Sequence, residues 1–147
     1  MPNNTQNIMK VIGEKEAVAK CFDLIKGKTS NDPNREQLID FEKIIPMPEH
    51  IFRGSLGEKE RELYGENNWY DWSVDNWGTK WNAYYCERID DSTIKFFTAW
   101  SVPEPIYKNI SEMFPSLKFE FKYSYEDEQD TEYTDRYKAG EKVYLND

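Results

Sequence analysis

The chain has 147 residues, with 28 Asp+Glu against 19 Lys+Arg and a single histidine, for a formal net charge of −9. That length suits one domain, and 5 Trp, 10 Tyr and 8 Phe supply large side chains that unfolded chains lack, so disorder is excluded for most of it. No stretch approaches the roughly 18 apolar residues of a membrane span, and Met1–Lys10 lacks the apolar run of a signal peptide, so a soluble, cytoplasmic protein is expected.

The first predicted strand runs from Gln6 to Ile12 and ends at Gly13. Glu14 to Lys26 follows as a helix whose apolar stripe, Val18, Cys21, Phe22 and Ile25, has i, i+3, i+4, i+7 spacing. Residues 28–35 read as a polar loop. Leu38 to Ile45 reads as a second strand because Ile39, Phe41, Lys43 and Ile45 share one face before Pro46. Residues 46–68 form an excursion with one short helix, in which Glu58 to Glu62 is a solvated charged run.

Trp69 to Trp81 holds four of the five tryptophans. On a helix, Tyr70, Val74, Trp77 and Trp81 fall on one narrow apolar face, while Trp69 and Trp72 point away from it. Gly78 weakens such a helix by about 1 kcal/mol relative to Ala, which points to a break near Trp77 or a close backbone approach there. Residues 83–89 and 93–100 then flank the turn-prone Asp90-Asp91-Ser92 as an antiparallel hairpin. Ser101-Val102-Pro103-Glu104 matches a capping box, and the helix it opens buries Ile106, Ile110, Met113 and Phe114. Over 117–125, Leu, Phe and Tyr alternate strictly with Lys, Glu and Ser, the strongest strand signal in the chain.

Two strand–helix–strand units in series describe an α+β ferredoxin-like sandwich, an antiparallel sheet with two helices on one face. Strand 83–89 and the Trp-rich helical segment are then insertions, the latter a cover for the second sheet face. The whole chain is one domain with a core over about 6–125 and an acidic segment over 126–147. Glu126 to Asp135 carries six carboxylates and no cation, an acidic loop or end, after which Val143 to Leu145 returns as a short edge strand.

Asn76-Trp77-Gly78-Thr79-Lys80-Trp81-Asn82-Ala83, preceded by Trp69-Tyr70-Asp71-Trp72 and followed by a hairpin, resembles the signature of the Api92-like or YubB ferredoxin-like domain family of phage and plasmid proteins. The resemblance spans about Lys10 to Tyr125. It implies a ferredoxin-like fold, a mobile-element origin and hence a bacterial host cytoplasm, and brings no activity that maps onto named residues. Asn82 stands where the motif is expected to carry an acidic residue.

Enzyme chemistry finds no foothold: there is no Gly-rich phosphate loop, no nucleophile elbow and no Cys–His pairing. Cys21 and Cys86 read as buried thiols, and His50, without a second histidine, builds no multi-histidine metal site. No catalytic residue, cofactor or metal is assigned. Direct nucleic-acid binding is disfavoured by the net charge. The leading expectation is a non-enzymatic protein that binds and modulates, by inhibition, a host or anti-phage defence protein with a basic surface. Its contact residues are Trp69, Trp72 and Tyr64 with the carboxylates Glu126, Asp127, Glu128, Asp130 and Glu132. Lys80, between tryptophans, is read as solvent-facing. The alternative is a small-ligand, nucleotide-like module built on the Trp-rich segment; a third possibility is self-assembly through an open sheet face.

Overall fold

The computed structural model describes residues 3–27, 36–128 and 130–144. Strand β1 (Asn4–Ile12) leads into helix α1 (Lys15–Ile25), and a long connection follows with a short 3-10 turn (Phe41–Lys43), α2 (Glu58–Tyr64) and α3 (Trp69–Trp77). Then come β2 (Tyr84–Asp90), β3 (Thr93–Ala99), α4 (Glu104–Met113), β4 (Lys118–Tyr125), β5 (Tyr133–Lys138) and β6 (Glu141–Val143). The sheet order is β2-β3-β1-β4-β5-β6, with every neighbouring pair antiparallel. Four of these strands, with α1 and α4, form the βαββαβ arrangement of a ferredoxin-like fold, and β5 and β6 widen it beside β4.

β1 is the central strand, and its alternation decides the two faces. Thr5, Asn7, Met9 and Val11 are buried; across the ladder Met9 sits opposite Ile94 on one side and Phe121 on the other. α1 covers this face with Val18, Cys21, Phe22 and Ile25, and α4 with Ile106, Tyr107 and Ile110, all buried. Burial pushes the Cys21 thiol up to about 12, as expected of an inert core cysteine. A polar thread crosses this apolar layer. Tyr107, stacked on Phe121 with ring centroids 3.6 Å apart, donates to Asn7 Oδ1, and Asn7 Nδ2 donates to Thr98 Oγ1 at 3.0 Å.

The expected strand over Leu38 to Ile45 is absent. Leu38, Ile39, Phe41 and Ile44 are all buried, a spacing that no single strand face provides. The chain instead turns where Asp40 Oδ1 accepts from the Glu42 amide and Asn82 Oδ1 from the Phe41 amide. These residues plug one end of the core, Phe41 meeting Phe96 and Trp77 edge to face. Strand 84–90, expected as an insertion, is therefore the true second strand of the fold. The expected loop over 28–35 lies outside the described residues.

The Trp-rich helix starts on an Asn68 cap, whose Oδ1 accepts from the Asp71 amide, and stops at Gly78, which takes the left-handed conformation with φ 80. The stripe predicted through residue 81 is thus cut. Trp77 remains buried, its indole donating to the Ile45 carbonyl at 2.8 Å, whereas Val74 and Trp81 are exposed. α3 also packs beside α4 on the helical side, so it does not cover the second sheet face, whose side chains on β1, such as Gln6, Ile8 and Lys10, are partly or fully exposed among the described residues.

The expected capping box is not formed. Pro103 occupies the N-cap of α4 without a side-chain cap bond, because the Ser101 hydroxyl donates instead to the Gly78 carbonyl at 2.6 Å. Met113, expected in the core, is exposed. Of the acidic run 126–135, Glu126, Asp127 and Asp130 lie in turns, while Tyr133 to Asp135 enter β5, where Asp135 is buried. The edge strand expected over Val143 to Leu145 falls earlier, as β6 (Glu141–Val143); Tyr144 is in no strand, and Leu145 lies outside the described residues.

Candidate functional site

Several tethers bring separate segments to the end of the sheet where β1 begins. The Thr79 hydroxyl, buried, donates to the Ala99 carbonyl at 2.8 Å. With the Ser101–Gly78 bond, this ties the segment after α3 to the end of β3. The Trp100 amide donates to the Asn3 carbonyl at 2.8 Å. The Glu126 amide donates to the Asn4 carbonyl, and the Asn4 amide returns a bond to Glu126 Oε2 at 2.6 Å. Three places far apart in sequence, near residues 80, 100 and 126, thereby meet.

The result is an aromatic ridge beside an acidic turn. Trp100 has φ 71, uncommon for a bulky residue, and this conformation ends β3 and leaves the indole 43% exposed. Lys80 Nζ lies 4.5 Å from the Trp81 ring centroid and 5.0 Å from that of Trp100, a cation between two indoles. Tyr70 meets Trp100 edge-on, and Trp69 meets Tyr70 in the same way.

Between the ridge and the turn lies a recess of about 260 Å³, lined by Asn3, Asn4, Thr5, Trp100, Tyr125 and the carboxylate-bearing Glu126, Asp127 and Glu128. Thr5 is 1% exposed, and its Oγ1 has no hydrogen-bond partner among the described residues, an unmet capacity that buried hydroxyls rarely carry. The field is negative. Burial, with Glu128 and Glu104 nearby, pushes the Tyr125 hydroxyl up, and the Tyr133 hydroxyl is raised by its hydrogen bond to Glu128, 2.8 Å long.

The sequence-predicted contacts divide. Glu126, Asp127 and Glu128 line the recess, while Asp130 and Glu132 are exposed farther along the turn and do not. Trp69 is half-buried, its indole donating to the Gly54 carbonyl at 2.9 Å, and joins the outer end of the ridge through Tyr70. Trp72 turns inward, edge-to-face on Trp77 with centroids 5.2 Å apart, and packs against the core. Tyr64 stacks on Phe52 at 4.5 Å and does not line the recess. Sequence reasoning missed Trp100, read as the last residue of a strand, and Trp81, assigned to a buried stripe. Lys80 proves half-buried between them. The Thr79-Lys80-Trp81 run just past a helix-stopping glycine was the signal for Trp81; Trp100 carried none.

A second cavity, of about 650 Å³, lies at the other end of β1 and is lined by Gly13, Lys15, Val18, Phe22 and Arg88 among others, with no tryptophan. None of the residues of the Trp-rich segment, to which the small-ligand expectation is tied, lines this cavity. Nor do the described residues bring together three His, Cys, Asp or Glu side chains that could hold a metal ion, and no described helix is long and apolar enough to cross a membrane.

Compared with known families, residues 80–145 match the model described as the ferredoxin-like domain in Api92-like protein. No curated protein and no solved structure matches the chain.

Proposed function

For a chain whose residues 80–145 match the model of the ferredoxin-like domain in Api92-like protein, we propose a non-enzymatic binding role: capture of a basic protein through the recess between Trp100 and the acidic turn. The observation that carries this reading is the convergence of an exposed indole and three carboxylates on one recess. An Arg or Lys side chain from a partner satisfies both at once. Its charge meets Glu126, Asp127 and Glu128, and its aliphatic stem packs along the Trp100 indole. Trp81 and Tyr70 extend the apolar contact, as Trp and Tyr do at the energetic centres of interfaces.

The family resemblance of the motif around Trp77 to phage and plasmid proteins makes a host or defence protein the natural partner. A site built to hold nucleic acid offers the matching cations, and occupying it inhibits the protein that owns it. The test is capture from a bacterial lysate on the immobilised chain at 50 mM and 500 mM salt. Retention of a basic protein at low salt and its release at high salt is the expected result, because rim charges are screened beyond roughly 8–10 Å at physiological ionic strength and over a shorter range at 500 mM. No retained protein at either salt refutes the role.

A further inference from the structure

The second sheet face is open, and its charge runs against that of the chain. On the three central strands its side chains include Lys95 of β3, Lys10 of β1, and Lys118 and Lys122 of β4, against Glu120 as the lone carboxylate. Lys10, Lys118 and Lys122 hold no carboxylate within ion-pair distance among the described residues, whereas Lys95 pairs with Glu87 at the β2 edge at 3.1 Å. The remaining carboxylates of this face, Glu87, Asp90 and Glu141, sit on the outer strands. In a protein of net charge −9, this is a segregated basic strip.

Aromatic rings border the same strip. Phe97 lies in register with Gln6 on β1 and Tyr84 on β2. Tyr84 stacks on Phe97 with centroids 6.3 Å apart and an interplanar angle of 26°. A recess of about 320 Å³ opens beside Phe97 and includes Asn4, Gln6, Ser124 and Glu126. The next row, about 7 Å along the strands, carries Lys95, Ile8 and Lys122.

We propose that this face binds single-stranded nucleic acid, with one base seated against Phe97 and the adjoining phosphates on Lys95, Lys122 and Lys10. Stacking on an aromatic ring is open to any unpaired base, and lysines one row away neutralise the backbone. Gln6 and Ser124 supply side-chain hydrogen bonds to the base edge. Glu126, at the rim, accepts from an exocyclic amine, which cytosine has and thymine lacks. A duplex fits poorly, since its bases are already stacked on one another and leave Phe97 nothing to hold. The site adjoins the Trp100 recess, with which it shares Asn4, Tyr125 and Glu126, but its base seat and its lysines, Phe97, Lys95, Lys122 and Lys10, take no part in that recess.

The experiment is fluorescence anisotropy with end-labelled twelve-nucleotide dC, rC and dT strands and a matched duplex, titrated with the full chain. Binding of dC or rC tighter than dT and than the duplex is expected, with a log–log salt slope of about −2 for three phosphate contacts. Phe97→Ala and Lys122→Glu should each weaken binding about tenfold or more. Lys122→Glu guards against misfolding of the Phe97 variant, because Lys122 is a partly exposed side chain of the open face. No binding of any single strand at 50 mM salt overturns the proposal. So do equal affinity for the duplex, or wild-type affinity in both face variants.

Discussion

Replacing Gly78 by Ala puts the end of α3 to the test. Gly78 has φ 80, and a Cβ there would stand 2.9 Å from Pro105 Cδ and 3.3 Å from the Val102 carbonyl oxygen. The left-handed conformation costs a residue with a Cβ about 1–2 kcal/mol, and forcing a methyl into a packed helix–helix seam adds about 1–3 kcal/mol. Gly78→Ala should therefore destabilise by about 2–5 kcal/mol, read as a fall of roughly 6–16 °C in Tm for a chain of this length. Were the helix to continue to Trp81, as the apolar stripe implies, the same substitution would stabilise by about 1 kcal/mol, so the sign alone decides. Repeating it in a Pro105→Ala background removes the nearest contact, and the cost should shrink to about 1–2 kcal/mol. Thermal denaturation of the four proteins closes the cycle. A neutral or stabilising Gly78→Ala, or a cost that is the same in both backgrounds, refutes the close approach between α3 and α4.

Tyr107→Phe keeps the stack on Phe121 but leaves Asn7 Oδ1, fully buried, without the hydroxyl that donates to it; denaturant unfolding should report a loss of about 1–3 kcal/mol, and an unchanged midpoint would show the thread to be inessential. Stability should also fall with alkalinity. Burial, with Glu104 and Asp135 nearby, pushes Tyr137 up to about 12, burial alone does the same to Cys21, and burial holds Tyr107 well above its ordinary value. These groups ionise more readily in the unfolded chain, near pH 8.5 for Cys and 10 for Tyr. Their contribution is therefore complete below about pH 8.5 and is lost progressively toward pH 12. Urea midpoints measured at pH 8, 9.5 and 11 should decline in that order; a flat series contradicts it.

Much of the fold was legible because period and burial agree. α1 presents a clean stripe and β4 a clean alternation that pick out their inward faces, whereas in β1 the buried face, Thr5, Asn7, Met9 and Val11, is half polar and Ile12 is exposed. The second strand was misread because Ile39, Phe41, Lys43 and Ile45 alternate by accident. What those residues do is decided by Asp40 and Asn82, whose side chains bind local amides and bend the chain. That competition between side chain and ladder leaves no trace in hydrophobic period. The acidic turn of the candidate site was visible as a charge run. Its aromatic partner was not, since neither the unusual φ of Trp100 nor the tether from Asn3 has a local signature. Trp72 and Trp81 exchanged roles for one reason: the helix stops at Gly78, so Trp81 no longer follows the stripe and Trp72 is free to pack on Trp77.

The most direct test of the binding role compares capture of the basic partner from a bacterial lysate by the wild-type chain, Trp100→Ala and Tyr64→Ala, at 50 mM salt. An indole at the centre of an interface is worth 2 kcal/mol or more, about thirtyfold in affinity. Trp100→Ala should therefore lose the partner, and Tyr64→Ala, which stacks on Phe52 away from the recess, should retain it. Undiminished capture by a folded Trp100→Ala protein would contradict the assignment of the recess as the binding site.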